Sequence, residues 1–161
     1  MGDMRIPNSF KLIIAIAVSE GAGLIGSVFT VPAVPNWYAT LSKPAFAPPN
    51  WIFGPVWTTL FALMGGAAFL IWKRGLDRKE VKIALGLFIG QLALNAIWSL
   101  VFFGLRNPGG AFIELVLLWL AILATIVAFA RISKLAAWLL APYVLWVSFA
   151  GYLNFAIWTL N

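Results

Sequence analysis

Asn95 and Trp98 stand three residues apart, and Trp146, Ala150 and Asn154 follow one another at intervals of four, all inside long apolar stretches. On a helix each set shares one face. Trp57, Glu20, Gln91 and Glu114 lie in such stretches as well. Amides and carboxylates are expensive in hydrocarbon, so they must turn inward and find a partner or a ligand. Either interhelical hydrogen bonding or ligand contact would satisfy them. For Asn95 the rigid indole of Trp98 on the same face favours contact with a flat, mostly apolar ligand. Gln91 reads as packing, and Glu20, set among Gly21, Gly23 and Gly26, reads as a structural group met by a closely approaching neighbour. The chain has no histidine and no cysteine. Without them a Ser-His triad, a zinc site, a disulfide framework and the usual axial ligation of haem are all excluded. No metal site and no cofactor are expected, and no residue can be named as a catalytic group from its chemistry alone.

These side chains need helices to hold them. Of 161 residues 63% are hydrophobic and 10% charged, and the mean hydropathy is +0.96. Soluble domains carry roughly 25% charged residues, so the solvent here is lipid. Backbone amides find no partners in hydrocarbon, and long uninterrupted apolar runs select helices over a barrel. Five runs reach the required length, at residues 12–31, 51–72, 83–105, 110–130 and 135–158. The first follows Arg5 and Lys11 like a signal peptide, but it exceeds the usual ~7 to 15 apolar residues and lacks a small-residue cleavage site. It is expected to be a retained helix. At about 1.5 Å rise per residue, Trp57, Asn95, Trp98 and Glu114 fall in the same half of the bilayer, the half next to the first loop.

The net charge of +6 is concentrated rather than spread. Arg5, Lys11, Lys73, Arg74, Arg78, Lys79, Lys82, Arg131 and Lys134 fall on one side, against Lys43 and Arg106 on the other. Topology accounts for this charge and nucleic acid need not be invoked. The positive-inside rule puts the N-terminus and the 73–82 loop in the cytoplasm, with the first loop and the C-terminus outward. Six of the nine prolines lie between Pro32 and Pro55, which makes the first loop stiff. Its Trp37, Tyr38 and Phe46 belong either to an aromatic belt at the headgroups or to a lid over an outward-facing cavity. Gly86 and Gly90 form a GxxxG that serves either internal packing or a homodimer interface. Gly65 and Gly66 pose the same alternative more weakly.

Three dense motifs carry a resemblance that spans essentially the whole chain. The first loop and second run contain Trp37-Tyr38, Leu41, Lys43-Pro44, Phe46, Pro48-Pro49, Trp51, Phe53 and Pro55-Val56-Trp57. The third run contains Gly90-Gln91-Leu92-Ala93-Leu94-Asn95, Trp98 and Phe102-Phe103-Gly104. The fifth contains Pro142-Tyr143, Trp146, Phe149-Ala150, Leu153-Asn154 and Trp158. Together they resemble the TspO/translocator family of tryptophan-rich membrane proteins. The resemblance implies an all-α membrane protein, a five-helix bundle with the Pro/Trp-rich first loop acting as a lid, commonly a homodimer in contact with membrane lipids. It also implies a pocket under that loop for porphyrins or other tetrapyrroles, and in animal members for sterols and benzodiazepine-type ligands. By motif position the ligand-lining residues would be Trp37, Trp57, Phe61, Asn95, Trp98, Glu114, Trp146, Ala150 and Asn154. Glu114 departs from the aspartate often found there. The animal sterol motif has no counterpart, since residues 153–159 lack both its tyrosine and its cation, so tight cholesterol binding is not expected.

Three functions follow from the resemblance: a receptor or regulator that binds porphyrin, an enzyme that degrades porphyrin in light and oxygen with Trp57 and Trp146 involved, or a small-molecule transporter. An odd number of helices and the absence of a repeat count against alternating access between two halves. In the first reading Trp37 and Trp57 contact the macrocycle while Asn95 and Glu114 orient it, and free-base porphyrins suit a chain without histidine better than haem.

Overall fold

The computed structural model describes residues 5–161, all helical apart from short connections. Helix α1 spans Asn8–Asn36, α2 Phe53–Trp72, α3 Lys79–Ser99, α4 Pro108–Ala130, α5 Lys134–Leu139 and α6 Ala141–Leu160. Five helical segments are long and apolar enough to cross a membrane, α5 and α6 together making the fifth. Large apolar side chains such as Ile13, Leu24, Val28, Leu117, Val127 and Leu145 point outward and exposed. On a soluble protein such a surface would aggregate, and in a bilayer it is the lipid face.

Three helices differ from the sequence expectation, α3 by starting at Lys79, four residues before residue 83. α1 begins four residues earlier than residue 12 and continues five beyond residue 31, through Pro32 and Pro35. Proline deletes a ladder hydrogen bond, here those to the carbonyls of Val28 and Val31, a loss that spanning helices tolerate. Asn36 Nδ2 donates to Pro32 O at 2.8 Å and Thr30 Oγ1 to Gly26 O at 3.1 Å, which tie side chains to neighbouring carbonyls of the same helix. The fifth span is broken at Leu140, because Pro142 falls in the first turn of α6 and cannot supply a donor to continue α5. Ser133 caps α5 through Ala136 N.

α3 ends in a wide π-turn over Leu100–Gly104, with Leu105 N bonded to Leu100 O at 2.8 Å. That turn swings Phe102 inward, where it is almost fully buried. Arg106 takes a left-handed conformation, φ 52°, and the chain re-enters through Asn107, whose side chain accepts from Gly110 N ahead of Pro108.

Small residues set the distance between α1 and its neighbours. A Cβ on Gly65 would lie 2.5 Å from Ile16 Cα, so only glycine permits α1 and α2 to touch there. Gly86 and Gly90 are different. A Cβ on either meets nothing within 4 Å, and both are exposed. Internal packing of the bundle is therefore not their role.

Core packing is uneven along the bundle. Toward the basic end, Met64, Ala67, Ile71, Val81, Ala84, Ile122, Phe129 and Ala136 are completely buried and close the interior. Lys11 there stands over the Trp72 ring at 5.8 Å, which joins the start of α1 to the end of α2. Toward the first loop the interior opens.

Candidate functional site

The opening is a cavity of about 490 Å³ walled by α1, α2, α3, the π-turn and α6, with the first loop at its rim. α2 contributes Phe53, Trp57 and Phe61, α3 Asn95 and Trp98, the π-turn Phe102, and α6 Trp146, Ala150 and Asn154. Trp57 packs on Phe61 with centroids 5.6 Å apart, Trp98 stacks on Phe102 at 5.2 Å, and Phe53 meets Trp146 edge-on at 6.0 Å. These rings hold one another at fixed angles, so the wall is shaped before any ligand arrives.

Polar groups behind the rings lock the helices. Asn95 Nδ2 donates to the Tyr143 hydroxyl at 2.8 Å, and that hydroxyl donates to Gln91 Oε1 at 2.7 Å. The chain joins α3 to α6 in a site where Tyr143 is only 1% exposed. Trp98 Nε1 donates to Asn154 Oδ1 at 3.0 Å, and Asn154 Nδ2 to Pro108 O at 2.8 Å, tying α3, α6 and the start of α4. Asn154 thus borders the cavity with both ends of its amide already used. Asn95 keeps its Oδ1 without a protein partner among the described residues.

The first loop is strapped across the rim. Ser42 N donates to Asn161 Oδ1 at 3.0 Å while Asn161 Nδ2 donates to Ser42 O at 2.9 Å. Phe46 stacks on Tyr152 at 5.1 Å. Lys43 Nζ donates to Tyr38 O at 2.9 Å and to Leu41 O at 3.1 Å, and lies 4.7 Å from the Tyr38 ring. Tyr38 is buried against Phe102 and Phe103 and lines the cavity. Burial raises its hydroxyl above the ordinary tyrosine range, so it meets the cavity as a neutral phenol.

Of the nine expected lining residues, Trp57, Phe61, Asn95, Trp98, Trp146, Ala150 and Asn154 border the cavity. Trp37 and Glu114 lie behind the wall. The Trp37 ring sits on Phe102 at 5.6 Å and Phe103 at 6.5 Å, because the extra turns of α1 carry it over the π-turn. Glu114 is on α4, which contributes no residue to the main cavity. Among the described residues, both Glu114 carboxylate oxygens and Trp146 Nε1 are buried without a partner.

α1 is the wall the sequence reading missed. Glu20, Gly23, Ser27, Thr30 and Val34 all line the cavity, and their alternating spacing of three and four residues is the signal that marks one helix face. Glu20, expected to be met by a neighbouring helix, instead faces this space. Among the described residues no cluster of acidic side chains could hold a metal ion.

The TspO/MBR family model matches residues 15–159. The chain belongs to the TspO/MBR family. It is 46% identical over 150 residues to the tryptophan-rich protein TspO of Chlorobaculum tepidum, covering 93% of this chain and 95% of that protein. It is 45% identical over 139 residues to the human translocator protein, covering 85% and 82%. It is also 37% identical over 126 residues to the tryptophan-rich sensory protein of Cereibacter sphaeroides, covering 78% and 77%. Family membership and five apolar helices make this TspO/MBR chain a multi-pass membrane protein.

Proposed function

We propose that this chain is a membrane receptor or regulator that binds a porphyrin or related free-base tetrapyrrole in the aromatic cavity beneath the first loop. The observation that carries the reading is the cavity itself, about 490 Å³ with indole and phenyl faces on several sides. That volume lies within the ~300 to 1,000 Å³ range of small-molecule sites. Trp57 and Trp98 offer faces to a flat macrocycle, and the free Asn95 Oδ1 accepts from it. Trp37 and Glu114 support the wall from behind.

A conduit across the membrane is disfavoured by the packed basic half, where Met64, Ile71, Val81 and Phe129 leave no passage. The site has one end closed. In this reading the basic end lies in the cytoplasm, supported by the distribution of Lys and Arg, and the first loop faces outward. Gly86 and Gly90, bare and exposed, form the contact with a second copy.

The test is a titration of the purified protein with protoporphyrin IX in the dark, followed by tryptophan quenching, in wild type, Trp57→Phe and Asn95→Ala. Saturable quenching weakened by both substitutions is the expected result. Quenching that never saturates, or that ignores both, would remove the pocket assignment. Trp57 and Trp146 both border the cavity, so the same complexes exposed to light also test porphyrin degradation. A light-dependent product lost in Trp57→Phe would move the reading to an enzyme.

A further inference from the structure

The floor of the cavity is chemically unlike its rim. Along each wall the lining residue farthest from the first loop is Glu20 on α1, Phe61 on α2, Asn95 on α3 and Trp146 on α6. Glu20 lies about 18 Å along α1 from Asn8, near the middle of the span. No Lys or Arg lines the cavity, and among the described residues no hydrogen bond or ion pair engages the Glu20 carboxyl. An acidic group at that depth, with no protein partner, is retained at a cost unless something else meets it.

What surrounds it narrows the choice. Gly23, one turn on, is bare enough for the Phe61 ring to occupy the place of its side chain, with Phe61 Cε2 2.7 Å from where a Cβ would stand. The Phe61 ring in turn leans on Trp57. Three hydroxyls of the α1 and α2 walls are already used as donors, while those of Tyr38 and Ser99 lie toward the first loop. Ser27 Oγ donates to Leu24 O at 2.7 Å, Thr30 Oγ1 to Gly26 O, and Thr58 Oγ1 to Gly54 O at 2.9 Å. On the α1 and α2 walls, next to Glu20, the cavity therefore presents acceptor oxygens and ring faces. A carboxyl beside aromatic faces is the chemistry that receives an ammonium or a strong N–H donor.

We propose that Glu20, with the Trp57 and Phe61 rings, forms a subsite at the cavity floor for a protonated amine or other N–H donor on an otherwise apolar aromatic ligand, and that it rejects ligands presenting a carboxylate there. The inference rests on the cavity being a ligand site, as proposed above. It deepens that reading by giving the cavity a direction. A tetrapyrrole with acidic side chains enters with those groups at the rim, where Lys43 lies against Tyr38, and away from Glu20.

The experiment uses three pyrene probes of nearly equal shape, 1-pyrenemethylamine, 1-pyrenemethanol and 1-pyrenecarboxylate. Each is titrated into the protein in phosphatidylcholine nanodiscs and displaced with protoporphyrin IX. Wild type is compared with Glu20→Gln and Glu20→Asp, so that partitioning of each probe into lipid cancels between variants. In wild type the amine should bind more tightly than the alcohol, and Glu20→Gln should reduce that ratio by about tenfold, with Glu20→Asp retaining much of it. The carboxylate should bind better to Glu20→Gln than to wild type. An amine-to-alcohol ratio identical in wild type and Glu20→Gln, with the alcohol still saturable and displaced by protoporphyrin IX, would overturn the subsite and leave the porphyrin pocket intact. If the alcohol neither saturates nor is displaced, both fall.

Discussion

The Tyr143 hydroxyl takes a hydrogen bond from Asn95 and gives one to Gln91, so a single oxygen satisfies two buried amides from α3. Removing it strands both. Tyr143→Phe is expected to lower stability by about 1 to 3 kcal/mol, the usual cost of an unpaired buried polar group, read as a fall in the midpoint of thermal unfolding in detergent. It should also loosen the Asn95 side chain and weaken protoporphyrin binding, although Tyr143 itself does not line the cavity. Trp98→Phe keeps the ring but frees Asn154 Oδ1, and a smaller loss of about 0.5 to 1.5 kcal/mol should follow in the same assay. At this scale much was legible: spacing alone set Asn95 beside Trp98 and aligned Trp146, Ala150 and Asn154. The partners were not. Pairing Tyr143 with residues 48 and 52 positions away depends on how α3 and α6 cross, which no local pattern encodes.

Elements fail or hold according to where bare backbone touches. Gly65→Val would drive a side chain into the α1 backbone at Ile16, so α1 and α2 should separate and the protein should lose most of its thermal stability. Gly86→Val faces open space and should leave the stability of the monomer within about 0.5 kcal/mol of wild type. The pair of measurements separates a packing glycine from a surface one. If the proposed dimer uses this stripe, sedimentation of Gly86→Val in detergent should show the monomer where wild type shows the dimer. α1 also shows where the sequence misleads. Prolines at 32 and 35 read as loop, because isolated proline breaks helices. In this span the helix nevertheless runs on through both prolines and places Trp37 over the π-turn rather than in the cavity. The π-turn is equally silent in sequence, since one added residue per turn leaves no composition signal.

The whole molecule is polarised, with a closed, basic half and an open, aromatic half joined by five spans. The count of spans followed from run length, since hydrocarbon thickness fixes how many apolar residues a helix needs. The asymmetric interior did not, because it depends on which faces meet. Absence of cysteine makes sidedness easy to measure. Ser42→Cys in the first loop and Leu76→Cys in the α2–α3 connection should label from opposite sides in intact cells with a membrane-impermeant maleimide, Ser42→Cys from outside. The loop strap belongs to this scale as well. Asn161→Ala removes two hydrogen bonds to Ser42 and should speed porphyrin dissociation several-fold in stopped-flow displacement while leaving the cavity wall unchanged.

Filling the cavity between α1, α2, α3 and α6 separates porphyrin binding inside it from binding anywhere else on the molecule. Ala150 is a small residue on the α6 wall, and Ala150→Phe would place a ring in the space a macrocycle needs. Protoporphyrin IX should show a saturable shift of its main absorption band with wild type in nanodiscs and none with Ala150→Phe, while the variant unfolds at a temperature close to wild type. An undiminished, saturable shift in a folded Ala150→Phe protein would move the ligand elsewhere on the molecule.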